Sequence, residues 1–266
     1  MLKGFLCMET KKLDEDRRQV SFEECIACAE TTENACNFTA ALLRMLAATE
    51  EKEEITVTST LGCLRNTYLR RKYDYFSEPT ELYWLFRGKL AHKVIEEASE
   101  GEETLLEATF KKKLDGIDVY GTPDIIFLKK KLIRDYKTCA EVPKYRQDKP
   151  YSNHIQQLNL YTWLVSGQTS CTIKGKEVTI KPVPQIKRLQ VIYMDMKNVK
   201  TTDSPVYSNE KVEEFLRQRV PPLKNALDNG LVPPKEDTWQ CSGYCSVVSI
   251  CHRLEKEEWI AERRNS

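Results

Sequence analysis

The chain has 266 residues, 41% of them apolar, and its 41 Lys/Arg and 40 Asp/Glu leave a formal net charge of +1. That length suits one large domain or a domain plus a small module, and the apolar share allows a real core. The charge balance excludes any partner being inferred from net charge; only local clusters can point to one. No window nears the roughly 18 apolar residues of a membrane span. The opening MLKGFLCMETKKLDED has too short an apolar run, and no small-residue cleavage site, for a secretory signal. The sequence reads as soluble and cytoplasmic, with no membrane partner.

Residues 1–48 are cysteine-rich and weakly periodic, with a helical stretch at ACNFTAALLRML. The acidic run EEKEE, ending at Glu54, marks a solvated boundary. The expected division is a cysteine-containing segment at 1–54 and a main domain at 55–266 that includes the C-terminal cysteines. LGCLRNTYLRRKY (61–73) predicts a helix with a basic side from Arg65, Arg70, Arg71 and Lys72. Residues 77–101 predict a long helix: Leu82, Leu85, Phe86, Leu90, Val94 and Ala98 keep helical spacing, and Gly101 signals the end. Leu85, Gly88, His92 and Ile95 share one stripe of it, which turns His92 toward the core. The period then changes. TLLEATFKKKL (104–114) alternates as a strand, Asp115-Gly116 signals a hairpin turn, IDVYGTPDIIFLKK makes a second strand and KLIRDYKTC a third. A loop with Pro143 and Pro150 precedes an amphipathic helix at HIQQLNLYTWLVSG. Strand patterns follow at SCTIKG to VTIKP and at KRLQVIYMDM, then a helix near 208–230. A cysteine segment follows Pro233-Pro234, and a short helix closes the chain. Helices, a meander, then a helix and more strands predict a mixed α/β domain with a central sheet.

The stretch GTPDIIFLKKKLIRDYKTC carries Asp124, Asp135 and Lys137. Side chains alternate along a strand, so Ile133, Asp135 and Lys137 share a face while Tyr136 points the other way. A turn around 129–131 can fold Asp124 back beside Asp135. Two carboxylates at one point repel, which raises one pKa unless a cation lies between them. Mg²⁺ or Mn²⁺ is the natural counter-ion, since hard cations take oxygen ligands. Lys137 beside it could orient a water or stabilise charge developing on a phosphate. Asp-x-Lys by itself is a common solvent-facing tripeptide; a Gly-x-x-Asp at hairpin distance upstream is what gives it weight. A lone inward histidine is more often a hydrogen-bonded core residue, but beside such a site His92 becomes a candidate nitrogen ligand. Gln157 and Tyr161, at i and i+4 on one helix face, are structural when taken alone. Near the site they could hold a phosphate or the lysine.

In this order, His92, Gly121-Thr-Pro-Asp124, Asp135-Tyr-Lys137 and Gln157-x-x-x-Tyr161 resemble the motifs of RecB-like PD-(D/E)xK nucleases, over roughly residues 61–251. The resemblance implies a restriction-endonuclease-like fold, a mixed central sheet flanked by helices. It also implies Mn or Mg held by His92, Asp124, Asp135 and the carbonyl of Tyr136. Lys137 would position the attacking water, and Gln157 and Tyr161 would contact DNA.

Clustered cysteines in an intracellular chain point to metal before disulfides, and there are 10 here. Cys241-x-x-x-Cys245-x-x-x-x-x-Cys251 is a dense triplet, and a four-thiol site needs one more ligand. Cys63, at the start of a predicted helix, is the candidate. This arrangement resembles the iron–sulfur branch of the RecB-like nucleases, which includes the CRISPR-associated adaptation exonucleases and the AddB-type recombination nucleases. In that branch the cluster staples the two chain ends together. The resemblance implies a 4Fe-4S cluster on Cys63, Cys241, Cys245 and Cys251. The last gap matches that branch; the first is three residues where two are usual, which keeps zinc as the alternative. Cys7, Cys25, Cys28 and Cys36 form a second possible four-thiol set, for a structural zinc or for packing under a helical cap. Cys139 and Cys171 read as core residues.

Basic runs at 111–113 and 129–131, and Arg65 with residues 70–72, could track phosphates. Tyr83, Trp84 and Phe86 could stack single-stranded bases. Such runs are more often simply solvated, and such aromatics more often core. The resemblance is nearest to the CRISPR-associated family. It implies a 5′-to-3′ exonuclease of single-stranded DNA that trims DNA for spacer acquisition, with CRISPR adaptation integrase proteins as possible partners. One alternative is a recombination or repair nuclease whose helicase is a separate chain, since no Gly-x-x-x-x-Gly-Lys-Ser/Thr loop occurs. Another is a non-catalytic DNA-binding scaffold of the same fold, against which two repelling acids argue.

Overall fold

A computed structural model describes residues 1–8, 18–31, 36–48, 52–97, 103–142, 149–236, 238, 241 and 245–265. Glu50 and Glu51 of the acidic run, Ala98 and Gly101 at the expected helix end, and Pro143 lie outside the described residues. The elements, in order, are β1 (Leu2–Leu6), β2 (Gln19–Ser21), α1 (Phe22–Thr31), α2 (Ala40–Ala47), α3 (Val57–Leu61), α4 (Leu64–Lys72) and β3 (Tyr75–Ser77). Next come α5 (Pro79–Glu97), β4 (Thr104–Leu106), β5 (Phe110–Leu114), β6 (Ile117–Gly121), β7 (Ile125–Phe127), β8 (Leu132–Thr138) and α6 (Ser152–Val165). The chain ends with β9 (Ser170–Ile173), β10 (Lys176–Thr179), β11 (Arg188–Met194), β12 (Val199–Ser204), α7 (Asn209–Asn229) and α8 (Val248–Asn265). They form two compact units, one of residues 54–62 and 87–229, the other of 1–53, 63–86 and 230–266.

The first of these units holds a five-stranded sheet in the order β12-β11-β8-β7-β4. Its strands are antiparallel except for β8 and β11, which run parallel, so the sheet is mixed. This is the α/β architecture expected from the sequence, a central mixed sheet flanked by helices of the restriction-endonuclease-like kind. One face of β8 packs Leu132 and Tyr136 into a cluster with Ile125, Phe127 and Ile192. The other face carries Ile133, Asp135 and Lys137, as strand alternation requires.

The α6 helix packs against β5, β6, β8 and β11. The sequence predicts an amphipathic helix; instead every described residue from Gln157 to Val165 is buried. Its polar groups are therefore bonded internally. Asn159 Nδ2 donates to the carbonyls of Ile155 and Pro205, its Oδ1 accepts from Tyr207 N–H, and Thr162 Oγ1 donates to Asn159 O.

Two expected strands are each broken, and both breaks lie at the candidate site. Residues 104–114 form β4, which pairs with β7, and β5, which pairs with β6. The chain leaves one sheet for the other at Glu107, whose φ of +45° no regular strand adopts. The second expected strand breaks between β6 and β7, where Pro123 has no N–H to give to a ladder. The turn between β5 and β6 is as the sequence reads: Asp115 and Gly116 take φ of +48° and +86°, the primed hairpin geometry. The strand pattern at SCTIKG to VTIKP is a β9–β10 hairpin. The β12 edge strand escapes hydrophobic patterning because its buried positions are Thr202 and Ser204.

The other unit pairs β1 antiparallel with β2 and parallel with β3. Its small core is Phe5, Val20, Leu43, Leu46 and Leu82. The final helix α8 runs 18 residues, longer than the short helix expected, and packs against α4. Leu85, placed by its spacing on the inward stripe of α5, is exposed.

Gly121 shows how closely β6 and α6 approach. A Cβ there would lie 2.7 Å from Leu164 Cδ2, 3.0 Å from Tyr161 Cε1 and 3.1 Å from Val57 Cγ2. Gly121→Ala is expected to destabilise the protein by about 1–3 kcal/mol through overpacking. Urea unfolding against wild type measures it, and an unchanged midpoint would show that the two elements can separate freely.

Candidate active site

The β7–β8 hairpin sets the site. Ile125 pairs with Arg134, Ile126 with Ile133 and Phe127 with Leu132. Continued by one step, that register puts Asp124 opposite Asp135. Asp124 Oδ2 accepts the Tyr136 backbone N–H at 2.6 Å, which ties the broken strand back to β8. Asp124 Oδ1 lies 3.2 Å from His92 Nδ1 on α5. Lys137 Nζ lies 2.7 Å from Asp135 Oδ2. The structure thus gathers His92, Asp124, Asp135, Tyr136 and Lys137.

Glu107 joins them and was not among the residues singled out from sequence. Its Oε1 lies 3.2 Å from the same His92 nitrogen, and its N–H donates to Asp124 O at 2.9 Å. Donor atoms of His92, Glu107 and Asp124 all lie within 4.8 Å of one another. The available signal was an acid inside LLEATF, at a position where an unbroken strand would hold it half-buried for no reason.

Asp135 is 1% exposed, and among the described residues neither of its oxygens has a hydrogen-bond partner of good geometry. Lys137 reaches it as an ion pair. Burial pushes the Asp135 carboxyl up, Lys137 pulls it back and Asp124 raises it further. Carboxylates plus one imidazole suit Mg²⁺ or Mn²⁺. A buried acid met by the Lys137 ion pair and by no other donor among the described residues fits a further cation neighbour, so the residues present accommodate the metal.

Gln157 and Tyr161 lie beneath this group. Both are buried, and Gln157 Nε2 donates to Tyr161 Oη at 3.0 Å. The Tyr161 hydroxyl is raised well above its ordinary value by burial first, then by the Asp135 charge. His154, one turn before Gln157, also faces the site and was not singled out from sequence. Its Nδ1 lies 2.9 Å from Tyr193 Oη, and Tyr193 is the register partner of Lys137. Burial, then the Lys137 charge, lowers its pKa to about 4, so it stays neutral near pH 7.

In the other unit, Cys63, Cys241, Cys245 and Cys251 line one pocket, together with Arg65 and Asn66. Cys63 is the N-cap of α4. Asn66 Nδ2 donates to Cys245 Sγ at 3.1 Å. Burial raises the Cys251 thiol, while Arg65 draws it down. None of the 10 cysteines is joined in a disulfide. Cys171 is buried as expected, and Cys139 is half-buried.

A family model described as the PD-(D/E)XK nuclease superfamily matches residues 29–252. The chain belongs to that superfamily. Membership implies a nuclease with DNA as its substrate and Mg or Mn as its metal. The fold is similar to a solved structure described as "Crystal structure of SSO0001", with a TM-score of 0.50, 17% identity and coverage of 79% of this chain and 91% of that chain. No curated protein matches significantly. No helix among the described residues is long and apolar enough to cross a membrane.

Hydrogen bonds from Asp124 first and Glu107 second push His92 up to about 10, against the effect of burial. A histidine raised in this way stabilises the fold fully below its ordinary pKa of 6.5, and that contribution is lost as pH climbs through about 10. In chelator, the stability gap between wild type and His92→Gln is therefore expected to be widest in mild acid and to close in strong base. Urea unfolding across that range measures it; a gap independent of pH would contradict the His92–carboxylate pairing.

Proposed function

We propose that the protein is a metal-dependent exonuclease of single-stranded DNA. It acts in the cytoplasm, 5′ to 3′, and processes DNA for CRISPR spacer acquisition alongside the integrase proteins of adaptation. The observation that carries the nuclease reading is the convergence of His92, Glu107, Asp124 and buried Asp135 with Lys137. The strand preference, polarity and pathway rest on the motif resemblance.

His92, Glu107, Asp124 and Asp135, with the Tyr136 carbonyl beside them, would hold the divalent ion. Bound there, the ion supplies Lewis-acid stabilisation of a phosphate oxygen. The chain's own groups do the rest. Lys137 keeps a fixed direction through its ion pair with Asp135, and its remaining N–H bonds can hold the attacking water and face the charge that builds on phosphate. The Gln157–Tyr161 pair keeps the floor below the acids dry and polar; its contact to DNA belongs to the same proposal. Neutral His154 and Tyr193 close the side next to Lys137 without adding a competing charge.

The second part of the proposal is a 4Fe-4S cluster on Cys63, Cys241, Cys245 and Cys251. Its support is that four thiols from two distant stretches line one pocket with a cationic guanidinium and an N–H donor, the surroundings an anionic cluster needs.

Lys137→Ala should lower cleavage of single-stranded DNA in Mn²⁺ by on the order of a hundredfold or more, with DNA affinity little changed. End-labelled digestion with and without chelator measures both rate and polarity. A fully active variant overturns the site, and label released first from the 3′ end overturns the polarity. Anaerobically purified protein should be brown, and Cys245→Ser should bleach it and lower its melting temperature, because metal binding energy is folding energy. A colourless, zinc-loaded protein of equal stability overturns the cluster.

A further inference from the structure

The N-terminal cysteines play no part in the nuclease reading, yet the fold brings them to one place. The β1–β2 ladder ends at Leu6↔Gln19, and Cys7 N–H continues it by donating to Arg18 O at 2.9 Å. Cys7 therefore stands beside the strand that leads straight into α1. Cys25 and Cys28 are one helical turn apart on α1, on one face. Cys36 lies on the segment leading to α2. Cys7 and Cys25 both pack against the core of Phe5, Val20, Leu43, Leu46 and Leu82. The other three thiols are close enough to bear on the Cys25 charge, Cys36 most and then Cys7 and Cys28.

The local fold needs such a tie. The α1 helix has 10 residues and none fully buried, and helices this short are marginal in water. Its N-terminus is held by a reciprocal box, Ser21 N–H to Glu24 Oε2 at 2.8 Å and Glu24 N–H to Ser21 Oγ at 3.1 Å. Its other end has only exposed ties: Thr31 Oγ1 donates to the carbonyls of Ala27 and Cys28, Glu30 pairs with Arg44 of α2, and no basic side chain of its own lies in its last turn, where one would favour the helix dipole.

We propose that Cys7, Cys25, Cys28 and Cys36 bind a structural zinc ion that fastens the β1–β2 hairpin to α1 and to the segment entering α2. Four thiols match the closed tetrahedral set of a structural zinc. Among the described residues no three of these sulfurs lie within 4.8 Å of one another. Zinc would therefore draw them in. Cys28 is exposed, and Cys36 precedes Asn37, whose φ of +60° already turns the chain. Those two can close on Cys7 and Cys25 with the core left in place. The set shares no residue with the group around Lys137 or with the pocket of Cys245, so it stands or falls apart from both.

The test is metal content of the full chain, expressed with zinc supplied and purified anaerobically. Wild type, Lys137→Ala and Cys245→Ser should each retain zinc at about one per chain. Cys25→Ser/Cys28→Ser should lose it and melt at lower temperature. If that variant does not fold, Cys28→Ser alone, at an exposed position, should hold zinc at least about tenfold more weakly in chelator competition. Cobalt substitution should give thiolate charge-transfer bands that weaken in the Cys28 variant and vanish in the double variant. Zinc content that Cys28→Ser and the double variant leave unchanged, or a zinc-free wild type whose thiols all react with Ellman's reagent, overturns the proposal.

Discussion

Asp135 is a carboxylate in the interior of a β-sheet, and a buried charge costs several kcal/mol unless something compensates. Lys137 compensates in part, but the Asp135 oxygens still lack hydrogen-bond partners of good geometry among the described residues. The hairpin register then sets Asp124 against it, which makes the electrostatic cost worse rather than better. A proton on Asp135 or positive charge at that point relieves the repulsion. His92, drawn up by Asp124 and Glu107, supplies that charge here, and a divalent ion held by the same groups would supply it in its place. The two breaks in the strands follow from the same requirement. At each, the chain leaves regular strand geometry, at Glu107 with its positive φ or around Pro123, and an acid lies at the break, with Glu107 N–H still bonded to Asp124 O.

The two compact units divide this labour differently from the order of the sequence. The sheet, its acids and α6 come almost entirely from residues 87–229. The cysteine-rich unit is assembled from three separate stretches, two of them near the chain ends. Stretches so far apart lose much chain entropy on meeting. Its hydrophobic core of Phe5, Val20, Leu43, Leu46 and Leu82 is small for that task. Thiols drawn from those stretches into one pocket are a reason for the cysteine content that packing alone does not give.

Legibility followed the physics of each element. The acid–acid–lysine geometry could be read because strand alternation and a short turn leave little freedom between Asp124 and Lys137. The Asp115-Gly116 turn could be read because positive φ is costly for other residues. Glu107 was missed because a single residue at positive φ leaves no periodic trace, so residues 104–114 look like one strand. His154 was missed because its role depends on Lys137 and Tyr193, which no spacing along α6 reveals. The buried α6 misled for a related reason: Asn159 and Thr162 look like a solvent face until their internal bonds are known.

Whether His92 and the surrounding carboxylates hold one divalent ion together can be read by pulsed electron paramagnetic resonance of bound Mn²⁺. Coupling to a histidine nitrogen should be present in wild type and absent in His92→Gln, and Asp135→Asn should weaken Mn²⁺ binding sharply. Mn²⁺ that binds without nitrogen coupling, or that binds the Asp135→Asn protein as tightly as wild type, would contradict it.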